Sequence, residues 1–385
     1  MSGGRRAAWI AGGYAAQGLG YAALVTALPQ LKDRQGIDDT YVSIVLLLVC
    51  VAAAGGSVVA DRVAARWGSR FALAGGLLTV AVGLGASTVR TPTVAFTAIL
   101  ILYGVGLGAV DASLNMQGVL VQARLGRSVM NRLFAAYTAA AIAAALLMSA
   151  FAAGGGGASV AVGLAALFAF TYVVAAWPAL EPARTLAAPT TTAATGTRPI
   201  ILICGAFVFT GFLADSAVST WSSVYLNDSL AATAAVAPLG YAAYQGAVLL
   251  SRLTGDHLVP RVGRTAAVIG ALLICAVGCG LVVAVPSIPV AIAGFALAGL
   301  GVGVLIPLAF SAAGEAAAGR SDEVIARVNL FNYGGALVGA VLIGALSEPI
   351  GLRLAFLIPV LALVLTVPVV RALRHLPVGE SAAAR

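Results

Sequence analysis

Twelve long, almost uncharged runs dominate this 385-residue chain, and they admit few architectures. Each comes close to or exceeds the roughly 20 apolar residues that carry a helix across a bilayer. They fall at about 7–29, 40–59, 71–88, 93–121, 129–152 and 158–177, then at 199–226, 236–254, 265–285, 287–313, 323–346 and 351–373. Inside hydrocarbon every backbone N–H and C=O needs an internal partner, so only helices and closed barrels can span. A barrel would show short alternating segments, whereas these runs are continuous and rich in Ala, Leu and Gly. The chain is only 9% charged, against about 25% in soluble domains. The sequence therefore predicts an all-α polytopic membrane protein with 12 transmembrane helices in two six-helix halves. Arg5 and Arg6 precede the first run much as in a signal peptide, but the run is too long for one. It is expected to stay as the first helix.

The few charges are sorted by side. With the sides alternating at each span, eighteen arginines fall on the side of the termini. Only Lys32, Arg34, Arg90 and Arg353 fall on the other. Cytoplasmic loops carry such an excess, so both termini are expected in the cytoplasm of a cell whose inner membrane the chain crosses. The net charge of +8 is thus topological, and no nucleic-acid partner is expected. Cys50, Cys204, Cys275 and Cys279 all lie within spans, with no His or carboxylate beside Cys275 and Cys279 to complete a metal site. They are expected to be packing residues.

The chain repeats itself. A shift of 195 carries Asp61, Arg66 and Gly68 onto Asp256, Arg261 and Gly263, and Gly104, Gly106 and Gly108 onto Gly299, Gly301 and Gly303. The same shift carries Arg132 onto Arg327. A tandem duplication follows, with a six-helix bundle at 1–178, a second at 199–385, and a Pro/Thr/Ala-rich cytoplasmic linker at 179–198. Were such a duplicated bundle to move a solute, its site would be expected near the bilayer midplane, between the halves.

The stretch GSVVADRVAARWGSR (56–70), with its second copy around Asp256, resembles the signature loop after the second helix of the major facilitator superfamily. DASLNMQGVLVQARLGR (111–127), Asp215 through Trp221 to Tyr225, and SRLTGD (251–256) are similar to its bacterial MosC-like branch. Gln122, Phe134 and Asp215 depart from that branch, where Glu, His and Glu are expected. The resemblance implies a monomeric secondary transporter working by alternating access on a sugar-, inositol- or amino-sugar-like solute. It also implies a gating role for Asp61, Arg62, Arg66, Arg70, Arg132, Asp256, Arg261 and Arg327. A carboxylate at the end of one helix suits the positive N-terminus of another, and Asp61 is expected to meet the start of the eleventh span.

Charged groups within spans are costly and normally functional. Asp111 and Asp215 lie deep in the fourth and seventh spans and are the candidate proton-coupling residues. Polar positions recur at helical spacing: Gln17 in span one; Asp111 and Asn115 in span four; Asp215 and Ser219 in span seven; Asn329 and Asn332 in span eleven. Gln17, Asn115, Gln117, Tyr244, Gln245, Asn329, Asn332 and Tyr333 are the candidate solute-binding residues. Trp221 and Tyr225, near the outer end of span seven, are expected in the interfacial aromatic belt. No GxxxxGK[ST] loop is present for ATP hydrolysis, and His257 and His375 are both cytoplasmic. No cofactor is expected, and a membrane-embedded enzyme lacks a catalytic cluster. The alternative is a proton-driven exporter of drugs or a natural product, although span five lacks the Gly-Pro motif of many drug antiporters.

Overall fold

The computed structural model describes residues 3–125, 129–180, 198–316 and 321–373. Nearly all of the expected linker therefore lies outside the described residues, and so do the side chains of Asp256 and Glu315. The helices are α1 Gly3–Gln35, α2 Asp39–Trp67, α3 Ser69–Ser87, α4 Thr93–Leu125, α5 Met130–Ala153 and α6 Gly157–Ala176, then α7 Arg198–Val224, α8 Ala237–Val262, α9 Arg264–Ala284, α10 Ile288–Ala316 and α11 Ser321–Ile350. The last expected span is broken into α12 Leu352–Ala355, α13 Leu357–Thr366 and α14 Val370–Leu373. Pro359 and Pro368 fall beside its breaks, and proline removes a ladder donor. Ten segments among the described residues are long and apolar enough to cross a membrane. At 33 and 26 residues, α1 and α8 also have the length, but Gly, Gln and Tyr dilute their hydropathy.

The chain divides into two compact units: Met1–Ala188 with Ala231–Ala242, and Pro189–Leu230 with Ala243–Arg385. In the first unit, Ser149 Oγ donates to Ala235 O (2.5 Å). Both units are built alike. In the first, α2 and α3 pack on α4, α1 on α5, and α6 on α1 and α3. In the second, α9 packs on α10, α7 on α11, and α13 on α7 and α9.

The glycine repeats explain why. A Cβ on Gly104 would lie 2.7 Å from Val49 O, and one on Gly108 would lie 1.8 Å from Ala53 O. Shifted by 195, Gly299 faces Tyr244 O at 2.3 Å and Gly303 faces Val248 O at 2.8 Å. Gly106 meets Gly76 O at 3.0 Å, and its counterpart Gly301 meets Ala271 O at 2.4 Å. Each glycine thus touches a carbonyl, and the carbonyls obey the same shift. Small residues that let backbones approach are the main means by which helices associate in lipid.

The charged segments correct the sequence reading. The expected loop after the second span is helix as far as Trp67, and α3 resumes at Ser69. A single residue, Gly68, turns the chain with φ 102°, and Gly263 does the same between α8 and α9 with φ 81°. Only glycine adopts such angles without strain. Buried hydroxyls close on their own helices, as Thr26 does on Ala22 O (2.6 Å) and Thr210 on Ala206 O (2.9 Å).

Gly108→Ala should destabilise the purified protein by about 1–3 kcal/mol, because overpacking a tight crossing displaces backbone. Gly75→Ala, with nothing within 4 Å of the new atom, should change stability by less than about 1 kcal/mol and in the opposite direction. Thermal unfolding in detergent compares the two.

Candidate functional site

In the first unit, two antiparallel helices bring four polar side chains together. Tyr14 Oη on α1 donates to Asn115 Oδ1 on α4 (2.9 Å), and Gln17 Nε2 donates to Asp111 Oδ1 (3.2 Å). The spacing explains the pairing, because 14 and 17 share one helix face and 111 and 115 share another. Asp111 is 18 residues into α4, about 27 Å along it at 1.5 Å per residue. Its carboxylate keeps an accessible face, while Gln17 is buried. Phe134 meets the edge of Tyr14, with ring centroids 5.4 Å apart.

In the second unit, Tyr244 Oη on α8 donates to Asp215 Oδ1 on α7 (2.6 Å). Tyr244 is fully buried, Gln245 is buried and Asp215 is half-buried. Arg252 lies about two turns further along α8. A phenol and a carboxylate at this distance form a charge-assisted bond. On α11, Asn332 Nδ2 approaches Asn329 Oδ1 (3.4 Å), and Tyr333 is 58% exposed.

Gln117, a candidate solute-binding residue, lies off the face of Asn115: it is fully buried and donates to Ser69 Oγ (2.9 Å), tying α4 to α3. Two residues along a helix turn the side chain by about 200°, which is the reason. One expectation is corrected: Trp221 and Tyr225 are not belt residues. Both are fully buried; Trp221 Nε1 donates to Ala340 O (2.8 Å), and Tyr225 Oη donates to Val282 O (3.0 Å). Tyr225, Phe295 and Phe356 form an aromatic cluster with centroids 5.6–6.3 Å apart.

The candidate gating residues sit apart from these groups in sequence. Asp61, Arg62, Arg66, Arg132 and Arg261 are exposed, and Arg70 and Arg327 are half-buried. Asp61 has no ion pair among the described residues. Arg66 stacks on Trp67 at 5.1 Å, and Arg70 on Phe71 and Trp177 at 5.0 and 5.1 Å. The sequence reasoning missed Tyr14 and Arg252 as site residues. The i, i+3 relation of Tyr14 to Gln17 was the available signal for the first. For Arg252 the signal was hidden, because it had been counted with the topological arginines.

A family model for the Major Facilitator Superfamily matches residues 201–385. Over 348 residues the chain is 28% identical to an uncharacterized MFS-type transporter of Yersinia pestis, covering 88% of each. Over 157 residues it is 31% identical to the membrane protein MosC of Rhizobium meliloti, covering 41% of this chain and 39% of that one. The fold is similar to that of the nucleoside transporter NupG, with a TM-score of 0.70 at 14% identity over 96% of this chain and 99% of the other. It is also similar to FucP, an MFS transporter in the outward conformation, with a TM-score of 0.62 at 14% identity over 95% and 98%.

Trp221→Phe should cost about 1–3 kcal/mol, because it leaves the Ala340 carbonyl without its buried donor. Unfolding midpoints measure this; a surface belt residue would cost less than about 0.5 kcal/mol.

Proposed function

We propose, from the premise that this chain belongs to the major facilitator superfamily of transporters, that it carries a small polar solute across the bacterial inner membrane by alternating access coupled to protons. The observation that carries this reading is the Asp215–Tyr244 pair at 2.6 Å within the membrane-spanning helices of the second unit. A carboxylate there costs a few kcal/mol even on lenient scales, and a transport step gives a reason for its presence. Tyr244 orients the carboxylate, and uptake of a proton weakens the phenol's hold on it. Asp111 has the same potential in the first unit, held by Gln17.

The solute class follows from the donors and acceptors that the spans carry. Gln17, Asn115, Gln245, Asn329 and Asn332 present amides, and Tyr14, Tyr244 and Tyr333 present phenols. Such a set suits a sugar-, inositol- or amino-sugar-like molecule better than a lipophilic cation. NupG, whose fold is similar, is a nucleoside transporter, and a nucleoside is likewise a polar solute. Asp61, Arg62, Arg66 and Arg70, with Arg132, Asp256, Arg261 and Arg327, form the gate at the cytoplasmic water line. The single-glycine turns at Gly68 and Gly263 support that role, since each fixes the angle of a charged helix end. The termini lie in the cytoplasm, and the monomer is the working unit.

A solute panel tests the reading. Purified protein is heated with sugars, inositols and amino sugars, and in parallel with lipophilic cations, at two pH values. A ligand at 100 times its Kd adds about 2.7 kcal/mol of apparent stability. A polyol-like solute is expected to stabilise the wild type, and Asp215→Asn is expected to lose the pH dependence of that response. Stabilisation by lipophilic cations alone, unchanged in Asp215→Asn, would replace the reading with drug export.

A further inference from the structure

At the end of the first unit opposite the Arg62–Arg70 turn, the last residues of α1 and the α3–α4 connection shape an open cavity of about 380 Å³. Arg34, Gln35, Arg90, Thr91, Pro92 and Thr93 line it, and no carboxylate does. Of the four basic residues assigned to that side of the membrane, two therefore meet here. A third, Lys32, is already paired with Asp39.

The cavity is built to donate. Arg34 is fixed in place: its Nη1 donates to Thr88 O (2.8 Å) and Ser159 Oγ (3.3 Å), and its Nη2 donates to Ser87 O. Its Nε is enclosed and has no partner among the described residues, and the same holds for Gln35 Nε2 and Thr91 Oγ1. All three can donate, and the first two can only donate. Unsatisfied enclosed donors are costly, and all three belong to residues that line this one space, so the surroundings favour an acceptor there. Arg90 is exposed and makes no hydrogen bond or ion pair among the described residues. Burial, and second the positive charge of Arg90, press the Arg34 guanidinium below its ordinary pKa. The two cations thus repel each other across a space free of counter-charge. The 33-residue helix α4 begins at Thr93, so the free N–H groups and positive dipole end of its first turn open at the same place.

We propose that this cavity is an oxyanion site for a phosphate group. Phosphate offers several acceptor oxygens at once, enough for two guanidiniums, a hydroxyl, an amide and a helix N-terminus. A single carboxylate would leave some of these donors unmet. The position at the ends of three spanning helices admits two sources of that group: the head group of an anionic phospholipid, and dissolved phosphate. The inference goes beyond the transport reading and does not rest on it.

Unfolding midpoints of the purified full-length protein in neutral detergent test the site. Sodium phosphate is compared with sodium chloride at equal ionic strength, and phosphatidylglycerol with phosphatidylcholine added to the micelles. At least one phosphate carrier is expected to raise the wild-type midpoint by about 2–5 °C. Arg90→Gln should lose at least half of that rise while keeping its basal midpoint, since Arg90 holds nothing else in place. Thr91→Val removes an unpartnered hydroxyl, so its basal midpoint should hold or rise while its response shrinks. A response to inorganic phosphate assigns the site to a dissolved anion; a response to phosphatidylglycerol alone assigns it to a head group. No wild-type response to either, or equal responses in wild type and Arg90→Gln, overturns the proposal.

Discussion

Lipid gives helices no hydrophobic reason to associate, so each unit depends on how closely its backbones can approach. The approach is made at glycines that face carbonyls, and the same crossings set the chemistry. Gly299 lies against the carbonyl of Tyr244 with 2.3 Å between that oxygen and the position of a would-be Cβ. The backbone of Tyr244 is therefore fixed by a missing side chain on α10, and its phenol is placed 2.6 Å from Asp215 as a result. Proteins hold functional groups to within a fraction of an ångström by locking the elements beneath them. Here the lock is a helix crossing without a side chain between the backbones.

The duplicated scaffold carries chemistry that is not duplicated. On the shift of 195, the counterpart of Asp111 is Ile306, and that of Asn115 is Phe310. The counterpart of Tyr244 is Val49. The contacts made by glycine therefore repeat, while the polar groups beside them do not. One unit presents an amide-and-carboxylate group from α1 and α4, the other a phenol–carboxylate pair from α7 and α8 with an arginine nearby.

The helices were legible because hydrocarbon admits only helices and closed barrels, and long continuous apolar runs report the former directly. The repeat was legible because glycines at backbone crossings tolerate no substitution, so a single offset survives. Side-chain direction was harder to read. Gln117 and Asn115 look alike as polar residues two apart, yet one ties α4 to α3 and the other meets Tyr14. Trp221 and Tyr225 sit where a belt is expected, but their N–H and O–H find carbonyls inside the protein. The charged stretch 56–70 read as a loop because charge usually marks one; instead a single left-handed glycine turns one helix into the next. Arg252 and the Arg34–Arg90 cavity were concealed in a count of charges, where each arginine served only to set topology.

The account makes Asp215 a titrating group in a transport cycle, with Tyr244 and Arg252 around it. The most direct measurement is proton movement in sealed proteoliposomes carrying a trapped pH dye, with a gradient of the solute that stabilises the protein imposed across the membrane. The account predicts that wild type changes internal pH when the solute gradient is applied, and that Asp215→Asn still exchanges solute but moves no protons. Solute exchange in wild type without any pH change, or an unaltered pH response in Asp215→Asn, would contradict it.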